Sequence, residues 1–270
     1  MSTKDLTPQA EIVIAAKRQA LADRKSRTPI EAVRALASMQ KRPKPVLNAV
    51  ATDAQVTLIG QIKYAQEKSG LLIDYDPVAT ALRYVKAGVE AVSLLTDEYL
   101  YQGGLDDLVL VSRAINVPVI SQDYIFDEYQ IVEARAAGAS ALMLSSAILE
   151  PSTLYALLSA TQRNRMTAIV QVHDADELNF ALSLSPYVIG LSNFDPWTHE
   201  YEGDHISELR PLIPPNIGVM VTDGLQTLDE IEEIARLGVH ALLVRETILG
   251  DPDQTAQLMS ILNQFRSGSD

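Results

Sequence analysis

The chain has no cysteine among its 270 residues. Disulfides, thiolate metal sites and cysteine nucleophiles are therefore excluded together. It also lacks any apolar run approaching the ~20 residues that span a bilayer. Its first residues, Met1 to Asp5, do not show the basic-then-apolar order of a secretory signal. These absences lead us to expect a cytoplasmic protein with no membrane partner.

Basic residues are also scarce. Lys and Arg number 22 against 35 Asp and Glu, which gives a formal net charge of -13 at pH 7. Nucleic-acid binding needs clustered Lys and Arg against the phosphates, so we expect no nucleic-acid partner. His199, His205 and His240 are too dispersed in the sequence to suggest a metal site. We predict neither a metal nor a cofactor.

A unit of helix, glycine and buried strand occurs three times. Gly88, Gly138 and Gly238 each follow an amphipathic stretch, as at the C′ position of a helix, where a left-handed backbone is needed. A short apolar run follows each glycine, which is typical of a strand buried on both faces. Repetition of this unit predicts parallel βα units.

Five more apolar runs bring the predicted strands to eight: residues 56–62, 118–120, 168–172, 188–191 and 218–221. Helix starts are marked by Pro77, Pro151 and Pro252, each after an acidic residue, and by a capping box of Thr227 with Glu230. Eight evenly spaced strands favour a (β/α)8 TIM barrel over an open doubly wound sheet.

Two helical segments, residues 7–27 and 29–39, precede the first strand. We predict an N-terminal helical extension and linker over residues 1–45 and the barrel over residues 46–270, together as one structural domain. The basic stretch 41–45 is interpreted as a solvated connector, with a docking site for an anionic partner as the alternative.

Several motifs at the predicted strand ends resemble indole-3-glycerol-phosphate synthase. They are Lys17-Arg18 in the first helix, Leu95-Thr96-Asp97 with Tyr101-Gln102-Gly103, the stretch from Asp123 to Ala139, Val172-His173-Asp174, and the stretch from Ile189 to Asp195. The likeness runs in order over residues 10–265. It implies a barrel enzyme of tryptophan biosynthesis, a carboxy-lyase that closes an indole ring by dehydrating and decarboxylating a carboxyphenylamino-deoxyribulose phosphate.

The resemblance also implies where catalysis would occur. The family uses a glutamate and a lysine on strand 1, a lysine acid on strand 3, a glutamate base on strand 5, and an asparagine and an arginine after strand 6. Lys63 keeps the strand-1 lysine. The other positions are occupied by neutral side chains: Gln61, Gln122, Gln171, Ser192 and Phe194. An amide does not titrate near neutral pH, so the glutamines cannot act as general acid or base.

The phosphate site implied by the resemblance is altered too. Asp223 stands at the family's serine after strand 7, beside the retained Gly224. Arg245 stands at the family's glycine after strand 8, and Thr247 at the serine that follows. A carboxylate here would repel a phosphate dianion. We expect Asp223 and Arg245 to form an internal ion pair; the alternative is an outward Arg245 that binds an anion bidentately.

Other residues at the strand ends have less specific interpretations. We expect Lys63 to pair with Asp97 or Asp223, with anion binding or a Schiff base as alternatives. His173 and Asp174 are interpreted as a strand-end turn that caps the next helix, with a general base or a metal ligand as the alternative. Phe194 and Trp197 fit either an apolar lid or a patch for a protein partner.

Three functions follow. The first is a binding or regulatory protein that has lost synthase activity and takes a small anionic ligand or a protein partner. The second is an enzyme of different chemistry that uses Lys63 with Asp97, Asp123 or Asp223. The third is a genuine synthase. Whether the chain is an enzyme is therefore left open by the sequence.

Overall fold

The computed structural model describes residues 8–46, 56–66, 70–71, 75–98, 101–194, 203–223, 225 and 227–266. Eight parallel strands form a closed barrel in chain order: β1 Thr57–Ile62, β2 Ala91–Leu95, β3 Val119–Gln122, β4 Ala141–Ser145, β5 Thr167–Val172, β6 Val188–Leu191, β7 Gly218–Val221 and β8 Ala241–Val244. The last strand pairs with the first, Thr57 lying opposite Ala241. The predicted (β/α)8 barrel is confirmed.

Helices alternate with these strands, and two more precede them. They are α1 Pro8–Arg27, α2 Ile30–Met39, α3 Pro77–Lys86, α4 Leu105–Ala114, α5 Glu128–Ala136, α6 Pro151–Arg163, α7 Ala175–Ser183, α8 His205–Leu209, α9 Leu228–Arg236, α10 Glu246–Leu249 and α11 Pro252–Arg266. A short antiparallel pair, Ala65–Gln66 with Gly70–Leu71, follows β1. No helix in the described ranges is both long and apolar enough to cross a membrane.

Local sequence signals account for the helix ends. Pro77 and Pro151 open α3 and α6, where a missing N–H costs nothing because the first helical N–H groups have no intrahelical acceptor. The capping box at Thr227 is present, with the Thr227 hydroxyl accepting from the Glu230 backbone at 3.3 Å. Gly138 has φ +98 after α5, a conformation in which a side chain would be strained. These predictions from the sequence are confirmed.

Side chains alternate between the two faces of each strand, so the apolar residues form one core inside the barrel and another between the barrel and the helices. Residues such as Ile59, Ile120 and Ile169 point into the barrel and pack together, while their neighbours pack outward against the helices. Val46, at the end of the linker, joins the interior cluster. The Lys44 backbone N–H donates to Ser140 just before β4 at 3.3 Å, so the linker lies at the N-terminal ends of the strands.

The two N-terminal helices pack on the barrel through α5. Leu21 and Val33 form a small apolar cluster with Tyr129 and Val132. Arg24 on α1 also pairs with Glu133 on α5 at 2.8 Å. From this anchor α1 runs toward the C-terminal ends of β2 and β3, where its Lys17 becomes part of the barrel mouth.

Candidate functional site

A layer of neutral polar side chains closes the barrel core at its C-terminal end. Gln61, Gln122 and Gln171 follow the inward-facing isoleucines of β1, β3 and β5 by two residues, so they point the same way. Gln61 Nε2 donates to Gln122 Oε1 at 3.0 Å, and Ser93 Oγ donates to the same oxygen at 3.1 Å. Gln171 Nε2 donates to Thr222 Oγ1 at 3.1 Å. The amide layer thus consists of uncharged side chains in two separate hydrogen-bonded groups.

Two atoms of this layer have no hydrogen-bond partner among the described residues. They are Gln61 Oε1 and Ser145 Oγ, and both atoms are buried. Ser145 lies opposite Gln171 in the β4–β5 register, which places it at the same level of the barrel. A buried polar atom without a partner typically costs ~1–3 kcal/mol. The layer therefore offers an amide oxygen and a hydroxyl that no described protein group uses.

Lys63 lies just above this layer, after β1. Its ammonium is 4.7 Å from the centre of the Tyr101 ring, within range of a cation–π contact. Burial lowers the pKa of Lys63, while the charge of Asp223 raises it and that of Arg245 lowers it further. The net direction is downward.

The expected pairing of Lys63 is wrong. Asp97 contacts Lys17 instead, and Asp223 contacts Arg245, each at 2.5 Å. Lys63 has no ion pair within the part of the chain that the structure describes. The physical reason is that Lys17 on α1 and Arg245 after β8 lie closer to these carboxylates than Lys63 does.

The Asp223–Arg245 ion pair occupies the position at which the resemblance implies a phosphate cradle. Arg245 Nη2 lies 2.5 Å from Asp223 Oδ1, and both side chains are largely shielded from solvent. Thr247 is exposed on α10, which has only four residues. Gly224 lies outside the described residues. The structure thus contains the internal pair rather than an Arg245 directed away from Asp223.

The positions after β6 form a turn. Ser192 Oγ accepts from the Phe194 backbone N–H at 3.0 Å, and Ser192 is buried. Asn193 accepts from the Ile206 backbone at 3.0 Å and so fixes the start of α8. Phe194 is half-buried. Trp197, its suggested companion in a lid, lies outside the described residues.

A buried ion triad beside the mouth was missed by the sequence analysis. Lys17 Nζ lies 2.5 Å from both Asp97 Oδ2 and Asp123 Oδ1. Burial lowers the pKa of Lys17, but the charges of Asp123 and Asp97 outweigh burial, so the net change is upward. One signal was present: Lys17 is four residues before Leu21, on the apolar stripe of α1. A charge in such a stripe requires a buried partner.

The predicted turn after β5 is confirmed, and it includes a carboxylate that the sequence analysis did not single out. Asp174 caps α7 by accepting from the Glu177 backbone at 2.8 Å. Glu177 Oε2 accepts from the His173 backbone at 2.9 Å and lies 3.0 Å from His173 Nδ1. Ser146 also donates to this carboxylate at 2.8 Å. Both His173 and Glu177 are buried, which supports the structural interpretation.

Comparison with protein families gives one match over nearly the whole chain. The family model described as indole-3-glycerol phosphate synthase matches residues 10–261. A protein of that name from Dehalococcoides mccartyi (strain CBDB1) is 37% identical over 212 residues, 77% of this chain and 82% of the relative. Another from Lactiplantibacillus plantarum is 32% identical over 254 residues, 93% of this chain and 96% of the relative.

Solved structures are similar in fold at much lower identity. The 3-hexulose-6-phosphate synthase of Salmonella typhimurium has a TM-score of 0.64 at 11% identity and covers 78% of this chain and 100% of its own. KGPDC from Streptococcus mutans has a TM-score of 0.59 at 13% identity, covering 78% of this chain and 99% of its own. At these identities the likeness concerns the barrel alone.

Proposed function

Because this chain belongs to the indole-3-glycerol-phosphate synthase family, we propose that it is a family barrel that has lost ring-closing activity and serves as a binding or regulatory protein. The observation that carries the proposal is the amide layer. Gln61, Gln122 and Gln171 stand where the resemblance expects ionisable groups, and each takes part in a neutral hydrogen bond.

The chemistry of ring closure explains why this layer matters. A proton donor and a proton acceptor must exchange protons with the substrate, and losing one such group typically costs ~10²–10⁴ in rate. An amide neither holds nor releases a proton near neutral pH. The resemblance assigns the acid to Gln122 and the base to Gln171, and both side chains are neutral amides. Ring closure therefore lacks both its proton donor and its proton acceptor.

The ion pair at the mouth supports the same proposal. Asp223 and Arg245 are 2.5 Å apart where the resemblance implies a cradle for the substrate phosphate. A phosphate dianion there would meet the Asp223 carboxylate and would have to compete with it for Arg245. Substrate binding and proton transfer are therefore both weakened by the residues present.

A direct assay tests the proposal. The purified chain is mixed with the carboxyphenylamino-deoxyribulose phosphate, and formation of the indole product is followed. We expect no turnover above the uncatalysed rate. A rate in the ordinary enzymatic range of ~1–10³ s⁻¹ would contradict the proposal and identify a genuine synthase, the function that the relatives' names favour.

A gain-of-function pair tests the reasoning about protons. Gln122→Lys combined with Gln171→Glu returns an acid and a base to the positions that the resemblance assigns to them. We expect a rate gain of at least ~10-fold, toward the ~10²–10⁴ per group typical of acid–base catalysis. Gln19→Lys with Gln257→Glu makes the same exchanges at exposed positions and should change nothing.

One observation favours a second function, an enzyme of different chemistry. Lys63 is half-buried, its pKa is lowered chiefly by burial, and no carboxylate pairs with it among the described residues. A lysine of lowered pKa can act as a nucleophile toward carbonyl compounds. Trapping with borohydride and a panel of aldehydes and ketones tests this function, since a Lys63 adduct found by mass spectrometry would support it.

A further inference from the structure

Among the described residues, the charges that act on Lys63 are those of Asp223 and Arg245. Lys63 and Arg245 each contribute one positive charge, and Asp223 contributes one negative charge. Asp223 and Arg245 neutralise each other at 2.5 Å. The Lys63 ammonium, held over the Tyr101 ring at 4.7 Å, is then the charge left for a ligand.

This charge pattern discriminates between anions. A phosphate monoester carries a charge of about -1.5 to -2 at pH 7, so the single positive charge of Lys63 balances only part of it, and in the cradle it would lie against the Asp223 carboxylate. It also needs several donors around three oxygens, whereas Arg245 is engaged by Asp223. A carboxylate carries one charge and matches the single ammonium of Lys63.

The unpartnered atoms of the amide layer indicate which other groups the ligand needs. Gln61 is only 3% exposed, yet its Oε1 lacks a partner among the described residues, and Ser145 Oγ lacks one too. Gln61 Oε1 can only accept a hydrogen bond, so it requires a donor from the ligand. A hydroxyl supplies that donor without adding charge and can pair with the serine as well.

We propose that the mouth binds a hydroxylated monocarboxylate of the sugar-acid class in preference to a sugar phosphate, with the carboxylate at Lys63 and hydroxyl groups on Gln61 and Ser145. This inference rests on the proposed function, because it assigns the ligand class of the same mouth.

Calorimetric titration with matched probes tests the ligand class. D-ribonate and D-ribose 5-phosphate have the same number of carbons and differ in the anionic group, and neutral D-ribose is the control for hydroxyl binding alone. We expect ribonate to bind at least ~10-fold more tightly than either other probe, corresponding to 1.4 kcal/mol. Tighter binding of the phosphate, or no measurable binding of ribonate, overturns the proposal.

Variants assign the effect to the named residues. Lys63→Met should weaken ribonate binding at least ~10-fold, while Lys86→Met, at an exposed position on α3, should leave it unchanged. Asp223→Ser removes the repelling carboxylate and should shift the ribonate-to-phosphate ratio toward the phosphate. If Lys63→Met binds ribonate as well as the wild type, the placement at Lys63 is wrong; thermal melting confirms that each variant is folded.

The outcome separates this inference from the proposed function. Inactivity in the synthase assay together with a preference for ribose 5-phosphate would leave the proposed function standing and defeat the inference. Synthase turnover would defeat the proposed function, whatever the binding ratio.

Discussion

Replacing Lys17 with methionine removes the cation that joins α1 to the barrel mouth. Methionine keeps the length of the side chain, so the change isolates the charge. The ammonium now lies 2.5 Å from both Asp97 and Asp123, and Lys17 and Asp97 are 8% and 1% exposed. Without it, two carboxylates face each other in a poorly hydrated site.

The expected loss follows from that burial. Removing one partner of a buried ion pair typically costs ~3–5 kcal/mol because a charge is left uncompensated. Asp123 retains 17% exposure, which favours the lower end of this range, ~3 kcal/mol. At ~2–4 °C per kcal/mol for a domain near this size, thermal unfolding should fall by ~6–12 °C.

The matched control is Lys25→Met on the same helix. Lys25 pairs with Asp127 at 2.8 Å, but its side chain is 45% exposed. Exposed pairs of this kind contribute ~0–1 kcal/mol, so Tm should change by no more than ~4 °C. Circular dichroism melts of both variants and the wild type at equal protein concentration make the comparison.

Two further measurements test the electrostatic reasoning. Adding Asp123→Asn to Lys17→Met removes one of the facing carboxylates and should restore ~1 kcal/mol or more. The native pKa of Lys17 is raised above 10.5, so its stabilisation is complete below pH 10.5 and is lost as pH rises through the native pKa. A loss no larger than that of Lys25→Met, or a double variant no more stable than Lys17→Met, would refute the reasoning.

Two other variants probe single features of the fold. Gly138→Ala should cost more stability than Gly238→Ala, because both have positive φ (+98 and +73), but an added Cβ would lie 2.5 Å from Ser112 Oγ in the first and no closer than 3.7 Å to Arg210 in the second. We expect ~1–2 kcal/mol for Gly238→Ala from the backbone alone and a clearly larger loss for Gly138→Ala, measured by urea unfolding; equal losses would contradict the clash. Tyr75→Phe removes a hydroxyl that lies 2.7 Å from both carboxylate oxygens of Asp107, whose pKa burial raises and this hydrogen bond lowers. The variant should be destabilised at pH 7, and the difference from wild type should shrink as acidification protonates Asp107; a difference independent of pH would contradict this account.

The signals that succeeded in the sequence act over a few residues. A proline at the first helical position, the Thr227 capping box and the glycines after helices satisfy or constrain backbone groups within about one turn. The resemblance assigned Gln61, Gln122 and Gln171 to strand ends, and the period of two along a strand explains why the structure has all three pointing into the barrel. These features are legible in the sequence because their physical causes are local.

Ion pairing across the mouth required the tertiary structure. The sequence offered Lys63 as a partner for Asp97, but the partner is Lys17, which is 80 residues away in the chain. Which cation meets which carboxylate depends on the path of α1 over the ends of β2 and β3, and that path is determined by its packing on α5.

The sequence by itself determined the barrel, its helix boundaries and the neutrality of the amide layer, since each depends on residue type and short-range spacing. The tertiary structure decided which charges cancel. Asp97 and Asp123 share Lys17, Asp223 takes Arg245, and Lys63 remains without an ion pair in the described ranges because Coulomb energy depends on distances between residues far apart in the chain.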